Sequence, residues 1–214
     1  MKHIFYDDNR NIIDILQNLV KHRLNFDLKE EVDMNQMSLR ASLLGIAVNH
    51  GIDVKIGDDI HPMYLLSYYT QKMMANNDLD YFIDLYKKST AEIRTKVLVA
   101  IGRTTSLEVY SRVVQLMVSK TIKAQDKIHL SASLMNNLNF KEHYITYFVE
   151  NFEAIRQALN DNLMMYVVEQ VVGWARDVTL LQRSMTTYDM TNFSQAYARA
   201  LEKAQYRIDF RRNE

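Results

Sequence analysis

The 214-residue sequence has no cysteine, one proline, five glycines and one tryptophan, and Lys plus Arg equals Asp plus Glu at 26 each. Each shortage excludes something. Without cysteine there is no disulfide framework and no thiolate to act as nucleophile or metal ligand. So little glycine and proline leaves scant turn chemistry for β-hairpins. Balanced charge removes the one-signed field with which a nucleic-acid or anionic-membrane binder gathers its partner, so neither partner is expected. The longest aliphatic run, Val97–Ile101, is far short of the roughly 20 apolar residues of a membrane span. The opening stretch, Met1–Arg10, holds no apolar leader core. A soluble, untargeted chain is the expectation, with the cytoplasm favoured over export.

What is present favours helix. Leu, Met, Lys, Gln, Glu and Ala are good helix formers, and 48% of the residues are hydrophobic. A chain of this length buries about 70% of its unfolded surface and folds without a staple. Leu79, Phe82, Leu85 and Tyr86 form one stripe of helical period, and Ile93, Val97, Ala100 and Ile101 another. Ser89 with Glu92 and Thr105 with Glu108 have capping-box spacing, and Asn139 with Glu142 repeats it. Gly51 and Gly102 lie where a left-handed residue would close a helix, and Pro62 can open one. These signals predict helices near residues 9–22, 35–50, 62–76, 78–88, 90–101, 106–119, 124–137, 140–149, 151–160, 162–175, 177–188 and 192–211.

Several of these rods are apolar on two sides. Val109, Val113 and Leu116 make one stripe of their helix while Tyr110, Val114 and Met117 make another, which demands neighbours both before and behind. Short linkers favour antiparallel neighbours. The fold class that follows is all-α, a right-handed superhelix of antiparallel helix pairs, an α-solenoid of the HEAT or armadillo sort with about 11–12 helices. Residues 1–214 read as a single helical domain, because the glycine-bearing loop Gly51–Pro62 is too short for a domain linker.

Chemistry-bearing patterns are scarce. The six histidines, His3, His22, His50, His61, His129 and His143, include no i, i+4 pair, the spacing a helical metal site would use. Ser111, Ser131 and Ser133 lie on predicted helices with no base in view, and no nucleophile elbow, phosphate loop or dinucleotide fingerprint occurs. No catalytic, cofactor-binding or metal-binding residue is therefore assigned. Gln125 and Asp126 read as the start of a helix, with the carboxylate at the positive dipole end. Leu130, Leu134 and Leu138 form an apolar stripe, and Tyr144, Phe148 and Phe152 an aromatic one in which Phe152 anchors a turn. Arg207–Asn213 is a basic tail that suits a solvated helix C-terminus. Met63, Met73, Met74, Met164 and Met165 fit irregular core better than a plastic peptide groove. Asn192–Ser194 spells a glycosylation acceptor, with Thr191 or Asn192 better read as the cap of the last helix.

An ordered series of segments carries a family resemblance. Ser38–Gly51, SLRASLLGIAVNHG, is a Leu-Arg helix ending in glycine. Ile60–Thr104 holds a proline-opened helix, a Tyr-x-x-Ser/Thr segment followed by Glu, and a glycine turn. Gln125–Asp126 forms a Gln-Asp step, YFVENFEAI ends a helix on an aromatic after Asn, and Ala200–Phe210, ALEKAQYRIDF, is a terminal helix. In that order and spacing the chain resembles the carboxy-terminal helical domain of zinc aminopeptidases of the puromycin-sensitive, aminopeptidase N and endoplasmic-reticulum aminopeptidase family. It departs from that pattern at Leu65, where the family has Arg, and at Phe152 and Phe210, where it has Trp. The family's H-E-x-x-H zinc motif and G-x-M-x-N loop do not occur in the 214 residues.

The resemblance implies that this chain is the C-terminal two-thirds of the aminopeptidase C-terminal domain, with zinc in a catalytic domain that is missing here. It implies a part that covers the active-site cavity and helps select peptide substrates, with the peptide and the catalytic domain of the parent enzyme as partners. The chain alone is then no enzyme. A free-standing helical-repeat module for protein–protein interaction, without peptidase activity, is the alternative. Truncation would bare an apolar face on the first predicted helix, so self-association is expected through Ile12, Ile13, Ile15, Leu16 and Leu19.

Overall fold

The computed structural model describes residues 14, 15, 18, 33–54, 60–175 and 178–212. They are helical, with no extended strand among them. The chain divides into two compact units, Met1–Asn76 and Asn77–Glu214.

In the first unit α1 (Met34–Asn49) is followed by a 3-10 turn, Pro62–Tyr64, that runs into α2 (Leu65–Asn76). The Asp33 carboxylate accepts from the Asn35 amide and starts α1. Gly51, at φ +72°, supplies the left-handed step expected after it. Pro62 opens the second helical stretch as expected, with His61 Nδ1 accepting from the Met63 amide at 3.2 Å. Leu44, Ala47, Val48, Ile52, Val54 and Tyr64 form the core of this unit. The first predicted helix lies almost wholly outside the described residues.

The second unit holds α3 (Leu79–Lys88), α4 (Ala91–Ile101), α5 (Leu107–Gln115), α6 (Lys127–Met135), α7 (Lys141–Glu150), α8 (Phe152–Ala158), α9 (Asp161–Val172), α10 (Val178–Met185) and α11 (Ser194–Arg212). One row of helices runs α4, α6, α9, α11, each packed on the next, while α5, α7 and α10 form a second row. Two stacked rows with alternating membership are what helical hairpins build when each must cover its neighbour. The two-sided stripe predicted for the fifth helix is largely accounted for: Tyr110, Val113, Val114, Leu116 and Met117 are buried and Val109 is half-buried.

Helix ends differ from expectation in instructive ways. The cap of α4 is Thr90, without a side-chain bond, because the Ser89 hydroxyl turns back to the Leu85 carbonyl of α3. The cap of α5 is Ser106, whose hydroxyl accepts from Val109, while Thr105 is taken up by Asn77. Neither predicted capping box forms, nor does Asn139 cap α7, which starts after Phe140 without a side-chain bond. The fifth helix stops at Gln115, four residues short of the predicted end. The amides of Leu116, Met117, Val118 and Ser119 bond three residues back instead of four, a tightening that winds the chain out of the helix. Leu138 leaves its predicted stripe and is 73% exposed, because α6 ends at Met135.

Gly102 is also corrected. Its φ is −68°, within the right-handed region, so no left-handed turn needs it. Its role is proximity: a Cβ placed there would sit 2.7 Å from Ser133 Cβ and 2.9 Å from the Ser133 carbonyl carbon. Gly102 thus lets α4 and α6 touch backbone to backbone. Around that contact Ser133 donates to the Val99 carbonyl, and Asn137 Nδ2 donates to the Gly102 and Thr104 carbonyls at 2.9 and 3.0 Å. Those carbonyls at the end of α4 would otherwise be buried without partners.

Candidate functional site

The second unit brings together two residues that the sequence kept apart. His143 Nε2 lies 3.2 Å from Ser111 Oγ, across from α7 to α5. A base does therefore face Ser111, contrary to the reading of its helix in isolation. The pair is nonetheless not assembled for nucleophilic attack. Ser111 Oγ donates its proton to the Leu107 carbonyl at 2.9 Å, so its remaining interaction with the imidazole is as acceptor. His143 otherwise meets the ring of Tyr110, at a centroid distance of 6.1 Å. Ser131 accepts from the buried Tyr144 hydroxyl at 3.0 Å and Ser133 fastens α4 to α6; both act in packing.

His61 caps its turn, and among the described residues no group of three or more His, Asp or Glu is placed to hold a metal. These residues do not fit a zinc site. His3 and His22 lie outside the described residues. No helix among the described residues is long and apolar enough to cross a membrane.

The site with the clearest geometry is a cavity of about 560 Å³. It opens between the turn that follows α5, the start of α6 and one side of α8. Lys120, Lys123 and Lys127 line it, with Ser119 and Gln157 as neutral polar groups and no acidic residue. Lys127 is 2% exposed. Among the described residues its ammonium has one acceptor, the Ala158 carbonyl at 3.4 Å at the end of α8, and burial draws its pKa below the ordinary lysine range.

The rim is held by a polar network centred on the Gln-Asp step. Asp126 Oδ2 accepts from the Tyr86 hydroxyl at 2.7 Å and from Arg94 Nε at 3.2 Å, and the Tyr86 oxygen in turn accepts from the Lys123 amide at 3.1 Å. Burial, with the neighbouring Asp126 carboxylate adding to it, pushes the Tyr86 hydroxyl up to about 12. Asp126 therefore makes no side-chain cap; its charge is spent on Arg94 and Tyr86 and is not available to the lysines. Sequence reasoning missed this cluster. Its signal was the spacing of Lys120, Lys123 and Lys127 at three and four residues, masked by Asp126 inside the run.

At the far end the first residue of the basic tail, Arg207, is packed, while Asp209 and Phe210 are exposed. The Arg207 guanidinium lies 3.7 Å from the centroid of Trp174, Lys141 Nζ lies 5.6 Å from the same ring, and Arg207 Nη1 donates to the Gly173 carbonyl. The aromatic stripe closes as expected: Phe152, fully buried, meets Phe148, Tyr188 and Phe193 at centroid distances of 5.6, 4.8 and 6.1 Å. Met73 and Met164 are fully buried, in keeping with a core role. Asp189, not Thr191 or Asn192, organises the entry to the last helix by accepting from the Thr191 amide and hydroxyl, while Asn192 donates to Asp161 at 2.8 Å.

The sequence matches the ERAP1-like C-terminal domain family over residues 6–208, and the chain belongs to that family. It is also similar to "Probable aminopeptidase 1" of Saccharolobus solfataricus, at 30% identity over 88 residues. That stretch is 41% of this chain and 11% of the relative, so the chain spans a small part of the length of the curated relative it matches.

Proposed function

We propose that this chain is the non-catalytic helical portion of a zinc aminopeptidase, that it covers the active-site cavity, and that it helps select peptide substrates. The observation that carries the reading is the family match along residues 6–208, which the aligned stretch in an archaeal aminopeptidase supports. Zinc, in this reading, is held by the catalytic domain of the parent enzyme, and the peptide and that domain are the partners. The helical rows contribute a wall that limits which peptides reach the reaction, acting through shape and weak spaced contacts.

Sequencing the natural gene product and assaying it on peptides of graded length tests this. An upstream H-E-x-x-H segment and length-dependent hydrolysis are expected, with no turnover by the 214-residue chain alone. A natural product without such a segment, or turnover by the isolated chain, overturns the reading. Self-association belongs to the same proposal: Ile15 is 58% exposed, and Ile12, Ile13, Leu16 and Leu19 lie outside the described residues. Light scattering should show oligomers that Ile15→Asp weakens; a strict monomer at high concentration would exclude the interface.

A further inference from the structure

We infer that the lysine-lined cavity between α5, α6 and α8 is a binding site for a small phosphate-bearing molecule. The inference does not rest on the peptidase reading, and its test can fail without touching it.

The argument starts from an imbalance. A buried charge is stable only when paired or well hydrogen-bonded, yet among the described residues Lys127 makes one long bond, to the Ala158 carbonyl, and no ion pair. That carbonyl, at the end of α8, meets one of the three ammonium protons and supplies only the partial negative charge of a helix terminus. Two more ammonium groups, Lys120 and Lys123, line the same cavity, and both residues are exposed. Asp126, beside Lys127 in the chain, is held by Arg94 and Tyr86. Three lysines lining one hollow, with no acidic residue in its lining, are complementary to an anion.

Charge number and volume narrow the class. Three lysines are matched better by the two negative charges of a phosphate monoester than by a single carboxylate, and ammonium groups bind phosphate as point charges without the fork geometry of arginine. The cavity, about 560 Å³, is in the range of small-molecule sites and has room for an organic carrier beside the phosphate. Val118, Ile122 and Ala154 give it apolar walls for that carrier.

Calorimetric titration of the 214-residue chain with glucose 6-phosphate and with inorganic pyrophosphate, at low ionic strength, tests the site; which probe binds tighter tells an organic source from an inorganic one. Saturable one-to-one binding is expected. The double substitution Lys120→Gln/Lys123→Gln, on exposed side chains, should weaken it at least tenfold, whereas Lys87→Gln, at a lysine paired with Asp84 elsewhere, should leave it unchanged. The probe should raise the melting temperature of the native chain by mass action and not that of Lys127→Met, a readout that survives any change of basal stability. No saturation at millimolar probe, equal loss in Lys87→Gln, or equally tight binding of acetate would overturn the assignment.

Discussion

At the scale of single residues, Gly102 and Lys127 carry the most pointed consequences. In a right-handed conformation alanine would normally be preferred to glycine by up to about 1 kcal/mol. At Gly102 the added methyl would meet the Ser133 backbone inside van der Waals distance, so Gly102→Ala should instead destabilise by about 1–3 kcal/mol as an overpacked helix contact. Urea denaturation checks the sign, and a gain in stability would remove the close-contact account. Lys127 makes the opposite case. Its folded-state pKa is lowered by burial, so between that value and the unfolded value the unfolded chain binds more protons, and stability rises with pH across that window. Lys127→Met removes the buried charge. It should be more stable than the native chain at neutral pH, and the gap should narrow as pH rises toward about 10, the unfolded lysine pKa. A gap that stays constant with pH would show that desolvation is not what the substitution relieves.

At the scale of elements, what was legible in the sequence was whatever depends on periodic burial. The stripes on α3, α4 and α5 are core at Leu79, Phe82, Tyr86, Val97, Ala100, Ile101, Tyr110, Val113 and Val114 and half-buried at Leu85, Ile93 and Val109, and the aromatic run Tyr144, Phe148, Phe152 is all core, because a repeating apolar face fixes both helix type and facing side. Ends were less legible. A capping box is a local bargain between side chain and amide, and here tertiary bonds outcompeted it: Asn77 accepts from the Thr105 amide and from Thr104, moving the start of α5 to Ser106. Asn77 itself sits at φ +52°, a conformation that asparagine tolerates, and nothing local announces that its partners lie 27 and 28 residues on. Arg207 alone departs from the reading of the tail as a solvated helix end, since its long-range partner, Trp174, follows α9. Arg207→Ala should therefore loosen α11 from α9 by about 1–2 kcal/mol through loss of a partly buried cation–π contact. As the chain has one tryptophan, its emission reports the change directly and should shift to the red. Unaltered emission would mean that the guanidinium does not cover the ring.

At the scale of the whole molecule, the row order of the second unit decides what can stand alone. The lysine cavity shows why a site can be invisible in sequence: Lys120 and Lys123 come from a turn, Lys127 from a helix start, and Gln157 from another helix, and only stacking puts them around one hollow. The same stacking keeps the named polar bonds of the second unit inside it. Asn77 bonds to Thr104 and Thr105, Tyr86 and Arg94 to Asp126, Tyr110 to the Leu134 carbonyl at 3.0 Å, and Tyr188 to the Val149 carbonyl. Fully buried Phe82, Tyr110, Tyr144, Phe148, Phe152 and Phe193 spread along its length, so the unit carries a core of its own. A fragment of residues 77–214 should consequently fold cooperatively, with helical circular dichroism and a single sigmoidal urea transition. Its alkaline limit is also set. Burial raises the pKa of Tyr86 to about 12 and those of Tyr110 and Tyr144 upward as well. Groups with raised folded pKa values contribute stability that is complete below the unfolded tyrosine value of about 10 and is lost above it. Unfolding of the fragment should thus set in above pH of about 10, and Tyr86→Phe should delay it. A broad, non-cooperative transition at neutral pH would mean that the second unit draws its order from outside residues 77–214, and a sharp alkaline transition unmoved by Tyr86→Phe would mean that a different group governs the loss.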